Sequence, residues 1–456
     1  LEANPFVPPF GSWILEFIWD LVPRFAGLEF GIFEFGGEVE MAQEMKDPKE
    51  KGKNRLRASQ KMKELMTRYY MGAKMAEGSD KKIAWITSGG PVEPLIAADI
   101  IPIYPENHGA MLGASRMSVE LCEISEGMGY SRDLCSYARG DIASALTKKS
   151  PIPGGLPKPD FLLACNNICG TVMKWYQSLS RIFNVPLFLL DTPFTHHHVV
   201  PEGLLYVRRQ FEELISFIES MTGKKFDRDR LAEVLRYSGQ SALLWKDVLD
   251  LCAHRPSPMS CFDAFINMAP IVTLRGTEEV VDFYRDMKAE LQERIARGIS
   301  AVPQERFRLL WDNIPIWYKM RELSELFASY GACLVADTYT SAWVFEGIET
   351  QDPMEGLSRA YTQVYLNISI DLMIEKVLDL MKRFAVDGLI IHSNRSCKPY
   401  SLGQYDIQRI ILEKTGTPSL VIEADMTDAR VYSDAQVKTR VEAFMETLEN
   451  RRAARA

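Results

Sequence analysis

The chain has 456 residues, 46% of them hydrophobic and 25% charged, with a formal net charge of −8. That is globular composition with enough chain for two to three domains, and its acidic balance, without a basic block, excludes a nucleic-acid footprint. No run of 18 apolar residues predicts a membrane span, and eight cysteines over this length do not make a secreted disulfide framework, so a reducing, cytoplasmic setting is expected.

The first 40 residues are aromatic-rich and lack the early positive charge of a secretory signal. They read as an unusual extension or start-site artefact, with a docking or membrane-surface helix as the alternative. From Met41 the chain reads as a polar helical arm, so residues 1–79 are expected to hold extension and arm. Next come short apolar runs ending in small or polar residues, the mark of buried parallel strands: Lys82–Ser88, Ile100–Tyr104, Asp160–Cys165 and Pro186–Asp191. Helical stretches, including Ser115–Gly127 and Thr171–Phe183, lie between them. Alternation of this kind predicts an α/β lobe over 80–201.

The middle has helical spacing in Glu202–Thr222, Asp227–Cys252, Cys261–Met268 and Thr277–Gly298, so 202–330 is expected to be a helical segment. Strand-like runs return at Ala332–Asp337, Gly388–Ser393 and Pro418–Asp425. The helices Ile368–Phe384 and Gln404–Gly416 fall between the runs, and a charged helix spans 433–452. Residues 331–456 are therefore expected to form a second α/β lobe.

In open α/β sheets, ligands bind beyond the carboxyl ends of the strands. There the sequence places Gly89-Gly90-Pro91-Val92-Glu93, then Glu106-Asn107-His108, then Asn166-Asn167-Ile168-Cys169, and finally Asn394-Arg395-Ser396-Cys397. One strand end in each lobe thus carries cysteine in small or polar surroundings. Soft thiolates suit iron–sulfur clusters, but no compact Cys-x2-Cys-x2-Cys run exists, so any cluster must draw on dispersed cysteines. The Cys165-x3-Cys169 spacing also allows zinc or a plain helical pair.

The segments SGGPVEPLIAADIIPIYPENHGAMLGA (88–114), DLCSYARGDI (133–142), ACNNICGTVMKWY (164–176), HSNRSCKPYSLGQYD (392–406) and DMTDARVYSDAQVKTRVEAFME (425–446) together resemble the 2-hydroxyacyl-CoA dehydratase / benzoyl-CoA reductase family. The resemblance covers most of 50–450. It implies two Rossmann-like parallel-sheet lobes with a [4Fe–4S] cluster between them, held by three cysteines with one iron open. Carried over by position, Cys135 and Cys397 are two ligands. Cys169 is the third, because the aromatic pair Trp175–Tyr176 follows it at the family spacing, and Cys165 is the alternate.

Ser88 and Glu106 match a serine and a glutamate that lie near substrate in the dehydratases. The resemblance further implies a related second cluster-binding subunit, an ATP-hydrolysing activator with its own [4Fe–4S] cluster, and ferredoxin as upstream donor. PENHGAMLGA and NRSCKPYSLGQYD resemble the aromatic-CoA reductases more. The expected activity is therefore that of an iron–sulfur subunit of ATP-dependent benzoyl-CoA reductase, giving the cyclic diene. The alternatives are an (R)-2-hydroxyacyl-CoA dehydratase subunit and an electron relay without its own substrate site.

His108 and His392 are further candidate proton donors. His196–His198 reads as solvated loop. Arg395 reads either as a phosphate or sulfide contact or as a salt-bridge partner. Cys122, Cys252, Cys261 and Cys333 read as core.

Overall fold

The computed structural model describes residues 56–455. The expected extension 1–40 and the first part of the arm lie outside the described residues. The arm's described part is the helix Arg57–Ala76, whose Met62, Leu65, Met66, Tyr70 and Ala73 are buried at helical spacing.

Two four-stranded sheets follow, parallel throughout. The first contains β1 (Ile83–Ile86), β2 (Ile101–Ile103), β3 (Phe161–Cys165) and β4 (Leu187–Leu190), in the spatial order β2-β1-β3-β4. The second contains β5 (Phe307–Asp312), β6 (Ala332–Asp337), β7 (Gly388–Asn394) and β8 (Ser419–Ala424), in the order β6-β5-β7-β8. Strands β1, β3, β5 and β6 are buried at every residue. That is why β1, β3 and β6 read as largely apolar runs rather than as alternating ones; β5 is the exception.

The helical expectation for 202–330 holds for Pro201–Thr222, Arg228–Asp250 and Glu278–Ala296, with Asp227 capping the second of these through Asp229 and Arg230 N–H. It fails at Phe307–Asp312, which is β5, an interior strand of the second sheet. The physical reason is Arg308, a charge in the middle of the run. It is buried because Glu305 and the carbonyls of Cys252, His254 and Phe384 satisfy its guanidinium. Residues from Phe307 onward therefore belong with the second sheet.

The helical segment is fastened to the first lobe by a buried charge knot. Arg275 Nε donates to Glu93 Oε1 at 3.0 Å and its Nη2 to Tyr361 OH at 2.8 Å, while Ser238 Oγ donates to Glu93 at 2.9 Å. Arg275 and Glu93 are fully buried, and the guanidinium also lies 4.3 Å from the Phe345 ring centroid.

Candidate functional site

Each sheet has a switch point. In the first, the chain leaves β1 toward β2 on one side and returns to β3 on the other; in the second, the switch falls between β5 and β7. Crevices open at such points, beyond the strand carboxyl ends. Ser88 follows β1, Cys169 follows β3, Glu106 follows β2 and Cys397 follows β7.

The three expected ligands share one local geometry. Cys135 immediately precedes the helix Ser136–Thr147, Cys169 the helix Gly170–Phe183, and Cys397 the short helix Lys398–Ser401. All three are half-buried, whereas the other five cysteines are buried. Burial pushes each thiol up, and the neighbouring thiols add to this: Cys397 and Cys169 act on Cys135, and Cys169 acts on Cys397, which is pushed up to about 12. The amides of Ala138, Thr171, Val172 and Tyr400 oppose burial by favouring thiolate. No sulfur accepts a hydrogen bond of standard geometry from its own helix.

A direct tie joins two of these positions across the lobes. Ser136 N–H donates to Ser396 Oγ at 3.1 Å, and Ser396 donates in turn to Asp425. The residue after Cys135 is thus bonded to the residue before Cys397. Ion pairs add to the tie: buried Arg139 meets Glu126 and Asp428, and Arg430 also meets both.

Among the described residues, no three His, Cys, Asp or Glu side chains converge on one metal ion. A mononuclear tetrahedral site holds each sulfur at ~2.3 Å from one metal. Thiolates on a polynuclear cluster each hold a different iron and stand further apart. Cys135, Cys169 and Cys397 pack against one apolar core, and the Cys397 and Cys169 thiols both act on Cys135; soft sulfur donors are the type that an iron–sulfur cluster takes.

Cys165 differs. It ends β3, is fully buried, and its thiol answers to Asp191 rather than to the other cysteines. The helical-pair alternative for Cys165 and Cys169 does not describe them, since one lies in a strand and the other caps a helix. Cys122 Sγ faces Ser136 O and Cys252 Sγ faces Met259 O, both within the core.

Ser88 and Glu106 are brought together. The Ser88 N–H donates to Glu106 Oε1 at 3.0 Å, and Tyr176 OH donates to Oε2 at 3.2 Å. The segment that follows β2 is helical over Pro105–Ala114, and its first turn carries the buried Glu106. Burial raises the Glu106 carboxyl to about 7, against the pull of the Ser88 amide and the Tyr176 hydroxyl, and the Asp141 charge raises it further. Ser88 caps no helix, because the next one begins after Val92. Its hydroxyl is half-exposed and has no hydrogen-bond partner among the described residues. Gly89 cannot carry a side chain, because a Cβ there would stand 2.6 Å from Ile168 Cγ2. The loop after β1 therefore lies directly against the loop that delivers Cys169.

His108 is buried, with Nε2 2.8 Å from Ser150 Oγ and Nδ1 3.5 Å from Asp141 Oδ1. His392 is also buried. Its Nδ1 lies 2.6 Å from Ile314 O, and burial lowers it to about 4, so it is neutral near pH 7 and is no charged proton donor. His196, His197, His198 and Arg395 are exposed.

The sequence reading missed Asp141, Ser396 and the partner role of Tyr176. The lone acid of the Ser136–Thr147 helix, SYARGDIASALT, was the available signal for Asp141. Trp175 Nε1 donates to its Oδ2 at 3.0 Å.

A family model described as 2-hydroxyglutaryl-CoA dehydratase, D-component, matches residues 87–448. The (R)-2-hydroxyisocaproyl-CoA dehydratase alpha subunit of Clostridioides difficile is 37% identical over 85% of this chain and 95% of its own length. The (R)-phenyllactyl-CoA dehydratase alpha subunit of Clostridium sporogenes is 32% identical over 90% of this chain and 98% of its own. A benzoyl-CoA reductase subunit of Thauera aromatica is 30% identical over 82% and 90%. This order runs against the reductase expectation drawn from PENHGAMLGA and NRSCKPYSLGQYD.

Proposed function

The chain belongs to the 2-hydroxyglutaryl-CoA dehydratase D-component family, and from that premise we propose that it is the cluster-binding subunit of a cytoplasmic (R)-2-hydroxyacyl-CoA dehydratase. The observation that carries this reading is the pairing of Ser88 with a buried Glu106, raised to about 7, on the same apolar core that Cys135, Cys169 and Cys397 pack against. Dehydratase alpha subunits at 37% and 32% identity support the substrate class.

In this reading Cys135, Cys169 and Cys397 hold a [4Fe–4S] cluster. When bound, the group supplies a strongly reducing electron donor and a Lewis-acidic open iron. The chain's own residues do the rest. The free Ser88 hydroxyl donates to the thioester carbonyl oxygen. Removing water takes a hydroxyl from C2 and a proton from C3 of the acyl chain, so no proton is gained or lost overall. A carboxyl near pH 7 suits both halves: Glu106 gives its proton to the departing hydroxyl and then takes up the C3 proton, which restores it. Burial of Glu106 keeps bulk water from its carboxyl, which strengthens that contact.

The partners that go with this reading are a related second cluster-binding subunit, an ATP-hydrolysing activator carrying its own [4Fe–4S] cluster, and ferredoxin upstream. The pairing of Ser88 with Glu106 speaks against a pure electron relay, which needs no proton-handling carboxyl. The reductase is the second reading, carried by the 30% identity to the Thauera aromatica protein.

Anaerobic turnover with activator and reductant, comparing (R)-2-hydroxyisocaproyl-CoA with benzoyl-CoA, separates the two enzymes. Conversion of benzoyl-CoA alone would overturn the dehydratase reading. Iron and acid-labile sulfide should vanish in Cys135→Ser, Cys169→Ser and Cys397→Ser and persist in Cys165→Ser. Equal iron in all four would sink the ligand set.

A further inference from the structure

We propose that Tyr176 is a positioning residue for Glu106, and that its phenol keeps the carboxyl aimed through both protonation states. The inference rests on the reading of Glu106 as the group that holds and returns a proton.

The two carboxyl oxygens are held differently. Oε1 takes the backbone N–H of Ser88, which cannot move independently of the loop after β1. Oε2 takes the Tyr176 hydroxyl, from a side chain with no solvent exposure. A phenol both donates and accepts. It donates to the carboxylate. Once Glu106 carries a proton on Oε2, the same oxygen accepts it, and the contact survives with its direction reversed. A backbone amide cannot do this. At 3.2 Å the contact is long for O–H···O, which leaves it room to tighten as charge builds on the carboxylate.

What holds Tyr176 is its neighbour. Trp175 Nε1 donates to Asp141 Oδ2 at 3.0 Å, and the two rings pack edge to face at 5.7 Å. Adjacent residues of an α-helix point about 100° apart, since a turn takes about 3.6 residues. The helix Gly170–Phe183 is therefore pinned on two bearings. Tyr176 ties it to the helix Pro105–Ala114, and Trp175 ties it to the helix Ser136–Thr147. Rotation that freed one contact would break the other. The same helix starts at Cys169, so one rigid element fixes a thiol at its end and a carboxyl two turns along.

The test is Tyr176→Phe in the complete enzyme with its activator, assayed anaerobically on (R)-2-hydroxyisocaproyl-CoA. Phe keeps the ring and removes only the hydroxyl. The expected result is kcat lower by about 10–100-fold, with KM within about twofold and iron and sulfide content unchanged. In a Glu106→Gln background, the same substitution should cost less than about twofold, because the group it positions is gone. The proposal is overturned if Tyr176→Phe leaves kcat unchanged, if its loss is the same in both backgrounds, or if iron is lost with the hydroxyl. If Glu106→Gln alone turns over at the parent rate, the reading of Glu106 fails first, and the positioning role with it.

Discussion

Ser396→Ala removes one oxygen from the tie between the lobes. Two groups lose their partner: the Ser136 N–H, which donates to that oxygen at 3.1 Å, and the Asp425 carboxylate, which receives its proton. Ser136 and Ser396 are both buried, so water does not replace the lost contacts freely. An orphaned buried donor costs about 1–3 kcal/mol and a lost hydrogen bond to a charge a similar amount; because Asp425 keeps the Thr427 and Asp428 amides on its other oxygen, the total should be about 2–4 kcal/mol rather than the full sum. In a body this large each kcal/mol moves the melting midpoint by about 1.2 °C, so differential scanning calorimetry of the metal-free protein should show a fall of roughly 2–5 °C. The same variant should take up less iron on reconstitution, because Cys135 and Cys397 lose the bond that holds their neighbours together. A midpoint within about 1 °C of the parent, with full iron uptake, would refute the claim that this contact organises the two thiols.

Two further outcomes follow from buried charge. Burial raises Asp312 and Asp337 to about 6 from an ordinary 3.8, so the native state holds their protons longer than the unfolded chain does. Their contribution is fully present below about pH 4 and is lost as pH rises through about 6, at most ~3 kcal/mol each. Asp312→Asn should flatten part of that slope in urea titrations between pH 4 and 7, and an unchanged slope would show that Asp312 titrates normally. Arg275→Met should strand the Glu93 charge and cost about 3–5 kcal/mol, read as a lower urea midpoint. A loss below about 1 kcal/mol would mean that Glu93 finds another partner or is neutral.

The sequence carried much of the fold, because buried parallel strands announce themselves as short apolar runs. Seven of the eight strands lay in such runs, and β5 did not, because Arg308 broke the pattern. Its burial depends on carbonyls more than 50 residues away, which no local window contains. At the site, residue types and positions were legible but partners were not. Cys135, Cys169 and Cys397 stood out by resemblance, yet spacing alone left zinc and a helical pair both open for Cys165 and Cys169. The distinction needed the end of β3, which seals one thiol inside and leaves the next at a helix start. Tyr176 looked like a spacing marker for Cys169; that it reaches Glu106 depends on how two helices pack. His392 shows the reverse case, where a plausible proton donor is held neutral by burial.

The tie between Ser136 and Ser396 joins residues 260 positions apart. At about 5–20 residues per second, a ribosome needs ~13–50 s to travel that distance. For that interval a nascent chain displays Cys135 and Cys169 without their third companion. If the three thiols hold the proposed cluster, its loading follows completion of the second lobe, after Asp425 has been made and has captured Ser396. Any factor that shields the first two thiols during that wait would raise the yield of loaded protein without touching the finished enzyme.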